Sequence, residues 1–179
     1  DNITMCRVKC MPEPKSGRLL AASADMMHFS GCRGRLLIDS CYFAGAQDDA
    51  INIHGTNLKV VEKVSSNTLN MRFSHGQSYG FQAYFTGDTV AFVKATTMER
   101  LSTASVHSVK RLSDRIWQVK FDREVPEWLE INHDCVENLT YTPSVEIRNN
   151  YFTRTSTRGT LVTTPRKVVI EKNTYYKVG

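Results

Sequence analysis

Helical periodicity is nearly absent from this chain of 179 residues. No stretch repeats apolar residues at the 3.6-residue spacing that gives a helix one buried face, so helix-on-helix architectures are excluded from the start. Long apolar runs are missing too. None approaches the ~20 residues of a membrane-spanning helix, and no leader pattern opens the chain. Cysteine is scarce and irregularly placed. Cys6, Cys10, Cys32, Cys41 and Cys135 form no CxxC pair, and no histidine stands at zinc-finger spacing from them. The odd count and uneven spacing argue against a disulfide framework and against structural zinc. Cys6, Cys10 and Cys41 lie in strand-like runs and are expected to pack as small buried hydrophobes.

Charge of one sign is not concentrated either. The formal net charge is +5, which raises the question of an anionic partner. Yet Lys110, Arg111, Arg115 and Lys120, the nearest thing to a basic cluster, alternate with apolar residues as on a solvated strand face. No nucleic-acid or membrane partner is expected, and the oligomeric state is left open. An apolar content of 41% is enough for one large core or two small ones. The opening Asp1-Asn2-Ile3-Thr4-Met5 reads like the middle of a repeat, so the chain is expected to be a fragment of a longer protein.

What is present is repetition. Ile3–Cys10, Leu36–Phe43, Val145–Phe152 and Val168–Tyr175 are short runs with apolar or β-branched residues at alternate positions. Ile147 and Ile170 are 23 apart, as are Asn150 and Asn173. A period near 23 built from short strands predicts a parallel β-solenoid, with the two asparagines forming a ladder at an internal turn. Met5 and Ile38 are 33 apart, which leaves a loop of about ten residues for the Pro/Gly-containing Met11–Gly17. Ile38 and Ile147 are 109 apart, so about 86 residues interrupt the repeat. That interruption has another texture: Leu58–Val64, Thr68–Phe73, Asp88–Lys94, Ser105–Val109 and Ile116–Phe121 alternate like the strands of a small antiparallel barrel. The expected organisation is therefore repeat coils over 1–57, an inserted barrel over 58–142 and further coils over 143–179.

Chemistry concentrates at Asp48 and Asp49, which precede Ile51-Asn52-Ile53-His54-Gly55. Adjacent carboxylates repel, so a fold that places them at a strand mouth favours a carboxyl group able to hold or take a proton. Asp25 lies 23 residues before Asp48, and alignment of the coils stacks Asp49 on Arg158. Coils ~4.8 Å apart would bring Asp25, Asp48, Asp49 and Arg158 onto one face, with His28 and His54 near the same edge. Paired carboxylates flanking a glycosidic bond hydrolyse it: adjacent coils suit the ~5 Å retaining separation, and more distant coils the wider inverting one. A purely structural charged ladder, and a divalent-cation site, are the competing readings.

The run from Ser23 to Leu58, SADMMHFSGCRGRLLIDSCYFAGAQDDAINIHGTNL, resembles glycoside hydrolase family 110, the bacterial α-1,3-galactosidases. HGQSYGF from His75, FTGDTVAFV from Phe85 and RGTLVTTPRKVVIEKNTYY from Arg158 follow in the same order. The resemblance implies an all-β fold, a right-handed parallel β-helix with an inserted small antiparallel β-barrel domain. It also implies inverting hydrolysis of terminal α-1,3-linked galactose, in blood-group B or linear Galα1,3Gal glycans, without metal or cofactor, by a secreted or periplasmic bacterial protein. The Asp-Asp followed by His-Gly is similar, more distantly, to the family 28 polygalacturonases. Carried over by position, Asp48 and Asp49 become base candidates and Asp25 the acid candidate. His28, His54 and Arg158 would bind sugar hydroxyls, and His75 and Gln77 would reach over the cleft. The alternative from another class is a non-catalytic, glycan-binding solenoid segment. Clustered carboxylates weigh against it, since binding modules favour aromatic platforms.

Overall fold

The computed structural model describes residues 2–179, and these contain strands and turns but no helix. The chain divides into two compact units, one made of the residues up to Gly55 together with Thr142–Gly179, the other of Thr56–Tyr141.

The first unit is built from strands β1 (Ile3–Cys6), β2 (Lys9–Cys10), β3 (Met27–Ser30), β4 (Arg35–Asp39), β5 (Tyr42–Ala44) and β6 (Ile51–His54). In the second unit lie β7 (Asn57–Ser65), β8 (Thr68–Arg72), β9 (Thr89–Lys94), β10 (Glu99–Arg111), β11 (Ile116–Phe121) and β12 (Cys135–Asn138). The first unit then resumes with β13 (Ser144–Arg148), β14 (Tyr151–Thr155), β15 (Thr160–Thr163), β16 (Val168–Glu171) and β17 (Thr174–Val178).

Every strand pair of the first unit is parallel. Three sheets form, in the orders β1-β4-β13-β16, β2-β5-β14-β17 and β3-β6-β15. Their register follows the apolar repeat: Met5 pairs with Ile38, Ile38 with Ile147, and Ile147 with Ile170. Because alternate residues point to opposite faces, this register turns Leu36, Ile38, Val145 and Ile147 into one core, where Phe43, Ile51, Ile53 and Phe152 join them. Phe43, Phe152 and Tyr175 stack face to face with ring centroids 5.0 and 4.8 Å apart. The same alternation corrects one expectation. It points Met5 inward and Cys6 outward, so Cys6 is exposed, Cys10 is half-buried and only Cys41 of the three is buried. All five thiols are free.

Between the first and second sheets each level bends through a residue with positive φ: Arg7 at 55°, Ser40 at 56°, Asn149 at 57° and Lys172 at 54°. Side chains other than glycine resist this region at a cost of ~1 kcal/mol each. Hydrogen bonds to the neighbouring level offset it. Arg7 N donates to Asp39 O, Ser40 N to Arg148 O and Asn149 N to Glu171 O. Just past the bend, Asn150 and Asn173 form the expected ladder, Asn150 Nδ2 donating to Asn173 Oδ1 over 2.9 Å.

Close approach decides one position on the third face. A methyl group at Gly159 would stand 2.5 Å from Cε1 of Tyr175, whose ring is held on Phe152. Gly159→Ala should therefore destabilise the unit by ~1–3 kcal/mol through overpacking, read as a lowered midpoint in chemical denaturation.

The second unit is a closed antiparallel barrel in the order β7-β12-β9-β10-β11-β8, filled by Leu58, Val60, Leu69, Met71, Phe92, Trp117, Val119, Phe121 and Val136. β10 is much longer than the Ser105–Val109 run expected. Register shifts at Arg100/Ser102 and Val106/Ser108 let its first half pair with β9 and its second with β11. β12 carries no visible alternation, because Glu137 and Asn138 are buried polar residues. Arg100 Nη2 donates to Glu137, and Asn138 Nδ2 donates to Ala83 O and Asp88 Oδ2.

Candidate active site

The site is assembled where β3, β6 and β15 begin. Met27 pairs with Ile51 and Ile51 with Thr160. Two residues earlier on each level stand Asp25, Asp49 and Arg158, which are therefore in register. The spacing in this sheet is 24, so Asp49 rather than Asp48 lies level with Asp25. Asp48 occupies the neighbouring position and faces solvent, whereas Asp49 is only 1% exposed.

Oxygens of Asp25, Asp48 and Asp49 all lie within 4.8 Å of one another. Such crowding of negative charge needs compensation, and Arg158 supplies it. Its Nε donates to Asp49 Oδ1 over 2.8 Å and its Nη2 to Asp49 Oδ2 over 3.1 Å, the paired geometry a guanidinium makes with a carboxylate. These bonds to Asp49 raise the Arg158 pKa, with smaller help from the charge of Asp49 and then of Asp48 and Asp25.

Each carboxylate has a different set of partners. Asp25 Oδ1 accepts from Asp49 N over 3.1 Å and its Oδ2 from Asn52 Nδ2 over 3.0 Å. The Thr157 hydroxyl lies 3.1 Å from Asp49 Oδ1 and 3.3 Å from Asp48 Oδ1. Asn52 and Thr157 carried no charge or motif that marked them in the sequence. Only alternation could have found Asn52, which shares the outward face of β6 with His54 while Ile51 and Ile53 point inward.

The two expected histidines also meet. His28 Nε2 and His54 Nε2 are 2.7 Å apart, His54 Nδ1 is 2.7 Å from Gly55 O, and His28 Nδ1 is 3.5 Å from Asp25 Oδ2. His75 and Gln77 belong to the barrel unit. There His75 Nδ1 accepts from the backbone N–H groups of Gln77 and Ser78, and Arg115 Nη1 donates to His75 O.

A family profile described as the GLAA-B β-barrel domain II matches residues 68–136, within the barrel. The whole chain is 73% identical to a part of "Alpha-1,3-galactosidase A" of Bacteroides fragilis strain YCH46, over 179 residues. The chain is similar over its whole length to a segment of the α-1,3-galactosidases of glycoside hydrolase family 110. A protein of the same name from Bacteroides thetaiotaomicron is 43% identical over 98% of the chain, and "Alpha-1,3-galactosidase B" of that organism is 34% identical over 99%. The chain spans about 30% of the length of these family 110 relatives.

Proposed function

We propose that this chain is the carboxylate-bearing segment of a longer family 110 glycosidase that removes terminal α-1,3-linked galactose from blood-group B or linear Galα1,3Gal glycans. The observation that carries the reading is the buried Asp49, paired with Arg158 and with oxygens of Asp25 and Asp48 within 4.8 Å. Carboxyl groups on opposite sides of a scissile glycosidic bond are the usual apparatus for acid–base hydrolysis.

Hydrogen bonding divides the labour differently from sequence position. Asp25 accepts two N–H bonds and Asp49 a guanidinium, so both enter the site as hydrogen-bond acceptors. Asp49 helps to hold the attacking water and Asp25 takes its proton. Asp48, exposed and offered only the Thr157 hydroxyl, carries the proton for the leaving oxygen. The three parallel sheets are then the faces of a right-handed parallel β-helix, whose successive coils display the carboxylates along one face. Arg158 supplies positive charge beside the carboxylates, and the reaction is read as proceeding without metal or cofactor. Because such glycans lie outside the bacterial cell, the parent protein works in a secreted or periplasmic compartment.

The 4.8 Å crowding is nearer the ~5 Å typical of retaining enzymes than the wider inverting gap. We still infer inversion, because Asp49 has both oxygens engaged by Arg158 and is a poor nucleophile. Proton NMR of the full-length protein acting on Galα1,3Gal tests this. β-Galactose should appear first, with no loss of rate after EDTA treatment. Initial α-galactose would assign a covalent intermediate instead, and glycan binding without galactose release would make the segment a binding module.

A further inference from the structure

The imidazoles of His28 and His54 have three of their four ring nitrogens held by hydrogen bonds within the protein and the fourth beside Asp25, which sets them apart from ordinary sugar ligands. The proton positions follow from what each neighbour is able to accept. Gly55 O accepts only, so the 2.7 Å contact places a proton on His54 Nδ1. In neutral His54 the other nitrogen, Nε2, then carries a lone pair. His28 Nε2 stands 2.7 Å from it, a separation two bare lone pairs would not tolerate, so His28 donates through Nε2. Neutral His28 is thereby left with its lone pair on Nδ1, the nitrogen 3.5 Å from Asp25 Oδ2. That separation leaves Nδ1 outside a short hydrogen bond and next to the carboxylate.

We propose that His28 is the proton port of Asp25, with His54 as the positioning residue that fixes its tautomer. This rests on Asp25 acting as a base toward water in the glycosidase reading above. As water adds to the anomeric carbon and the C–O bond to the leaving sugar breaks, one water proton passes to Asp25 Oδ2. Asp48 meanwhile gives its proton to the leaving oxygen. The proton on Asp25 then moves to Nδ1 of His28 and from there to solvent, which His28 reaches because its side chain is 46% exposed against 12% for Asp25. A solvent proton returns to Asp48, and the cycle balances with one water consumed. The carbonyl of Gly55 acts at a distance: it orients His54, His54 orients His28, and the vacant nitrogen faces the carboxylate.

Steady-state kinetics of the full-length protein on Galα1,3Gal test the proposal. Proton release follows bond cleavage, so it enters kcat but not kcat/KM. His28→Ala should lower kcat at least ~10-fold while kcat/KM stays within ~3-fold, and added imidazole should restore kcat. His54→Ala should shift kcat in the same direction by freeing the His28 tautomer. A raised KM with kcat intact would overturn the port and make His28 a sugar ligand. Unchanged kinetics in His28→Ala would overturn it as well. Failure of the underlying reading looks different: wild-type protein releases no galactose, or Asp25→Asn turns over normally.

Discussion

Asp49→Asn in the full-length protein should reduce galactose release from an α-1,3-linked disaccharide by ~10²–10⁴-fold, the range that positioned acid–base groups contribute. The amide keeps the shape of the side chain and still offers one oxygen to Arg158 Nε, which donates to Asp49 Oδ1 over 2.8 Å in the wild type. It no longer presents two acceptor oxygens to orient the water whose proton passes to Asp25. Circular dichroism should therefore be unchanged while turnover is lost. Asp48→Asn should lose a similar factor on the disaccharide for a different reason, the missing proton donor. The two defects separate on a substrate with a good leaving group. A dinitrophenyl α-galactoside needs no protonation as its bond breaks, so it should largely spare Asp48→Asn and still expose the loss in Asp49→Asn and Asp25→Asn. Near-normal turnover in both Asp48→Asn and Asp49→Asn would sink the assignment of the pair. If Asp25→Asn rather than Asp48→Asn were spared on the activated substrate, the acid and base roles would exchange.

How much of this was legible depends on which face of the chain one reads. The sheet of β1, β4, β13 and β16 was visible because its inward residues are alike on every level: Met5, Ile38, Ile147 and Ile170 answer one packing demand. The sheet that carries the site was not. Met27-His28-Phe29-Ser30, Ile51-Asn52-Ile53-His54 and Thr160-Leu161-Val162-Thr163 share no repeated residue, since their outward positions are occupied by chemistry rather than by a packing rule. A 23-residue period taken from one sheet does not carry to another when the turns between sheets differ in length. That is why the period drew attention to Asp25 with Asp48, whereas the backbone sets Asp25 level with Asp49. The pairing of Asp49 with Arg158 was legible from the aromatic ends of the coils, because Phe43 and Phe152 anchor the turn that follows. The His28–His54 contact was out of reach. It depends on two side chains two positions apart in register leaning across neighbouring strands, and spacing alone does not encode that lean. In the barrel, β12 escaped because its polar residues are buried by specific partners, and alternation detects only apolar burial.

Asn150→Ala should destabilise the parallel-sheet unit by ~3–5 kcal/mol, the largest loss expected from a change outside the carboxylates. The side chain is 2% exposed and joins three levels at once. Its Oδ1 accepts from Cys41 N over 2.8 Å, and its Nδ2 donates to Ile38 O over 3.0 Å and to Asn173 Oδ1 over 2.9 Å. Truncation strands the Cys41 N–H and takes a hydrogen bond from the Ile38 carbonyl in an interior built by Ile38, Phe43, Ile147 and Phe152, where an unpaired polar group costs ~1–3 kcal/mol. The lost methylene surface adds less than this, so hydrogen-bond satisfaction rather than packing sets the size of the effect. The comparison that isolates it is Asn173→Ala. That change removes only the acceptor at Asn173 Oδ1 and the donor from its Nδ2 to Ile147 O, at a residue that is half-buried and nearer water. Chemical denaturation of the two variants should give a clearly larger loss for Asn150→Ala. Equal losses would mean that the ladder acts as one unit and that burial of the individual amide is not what decides its contribution.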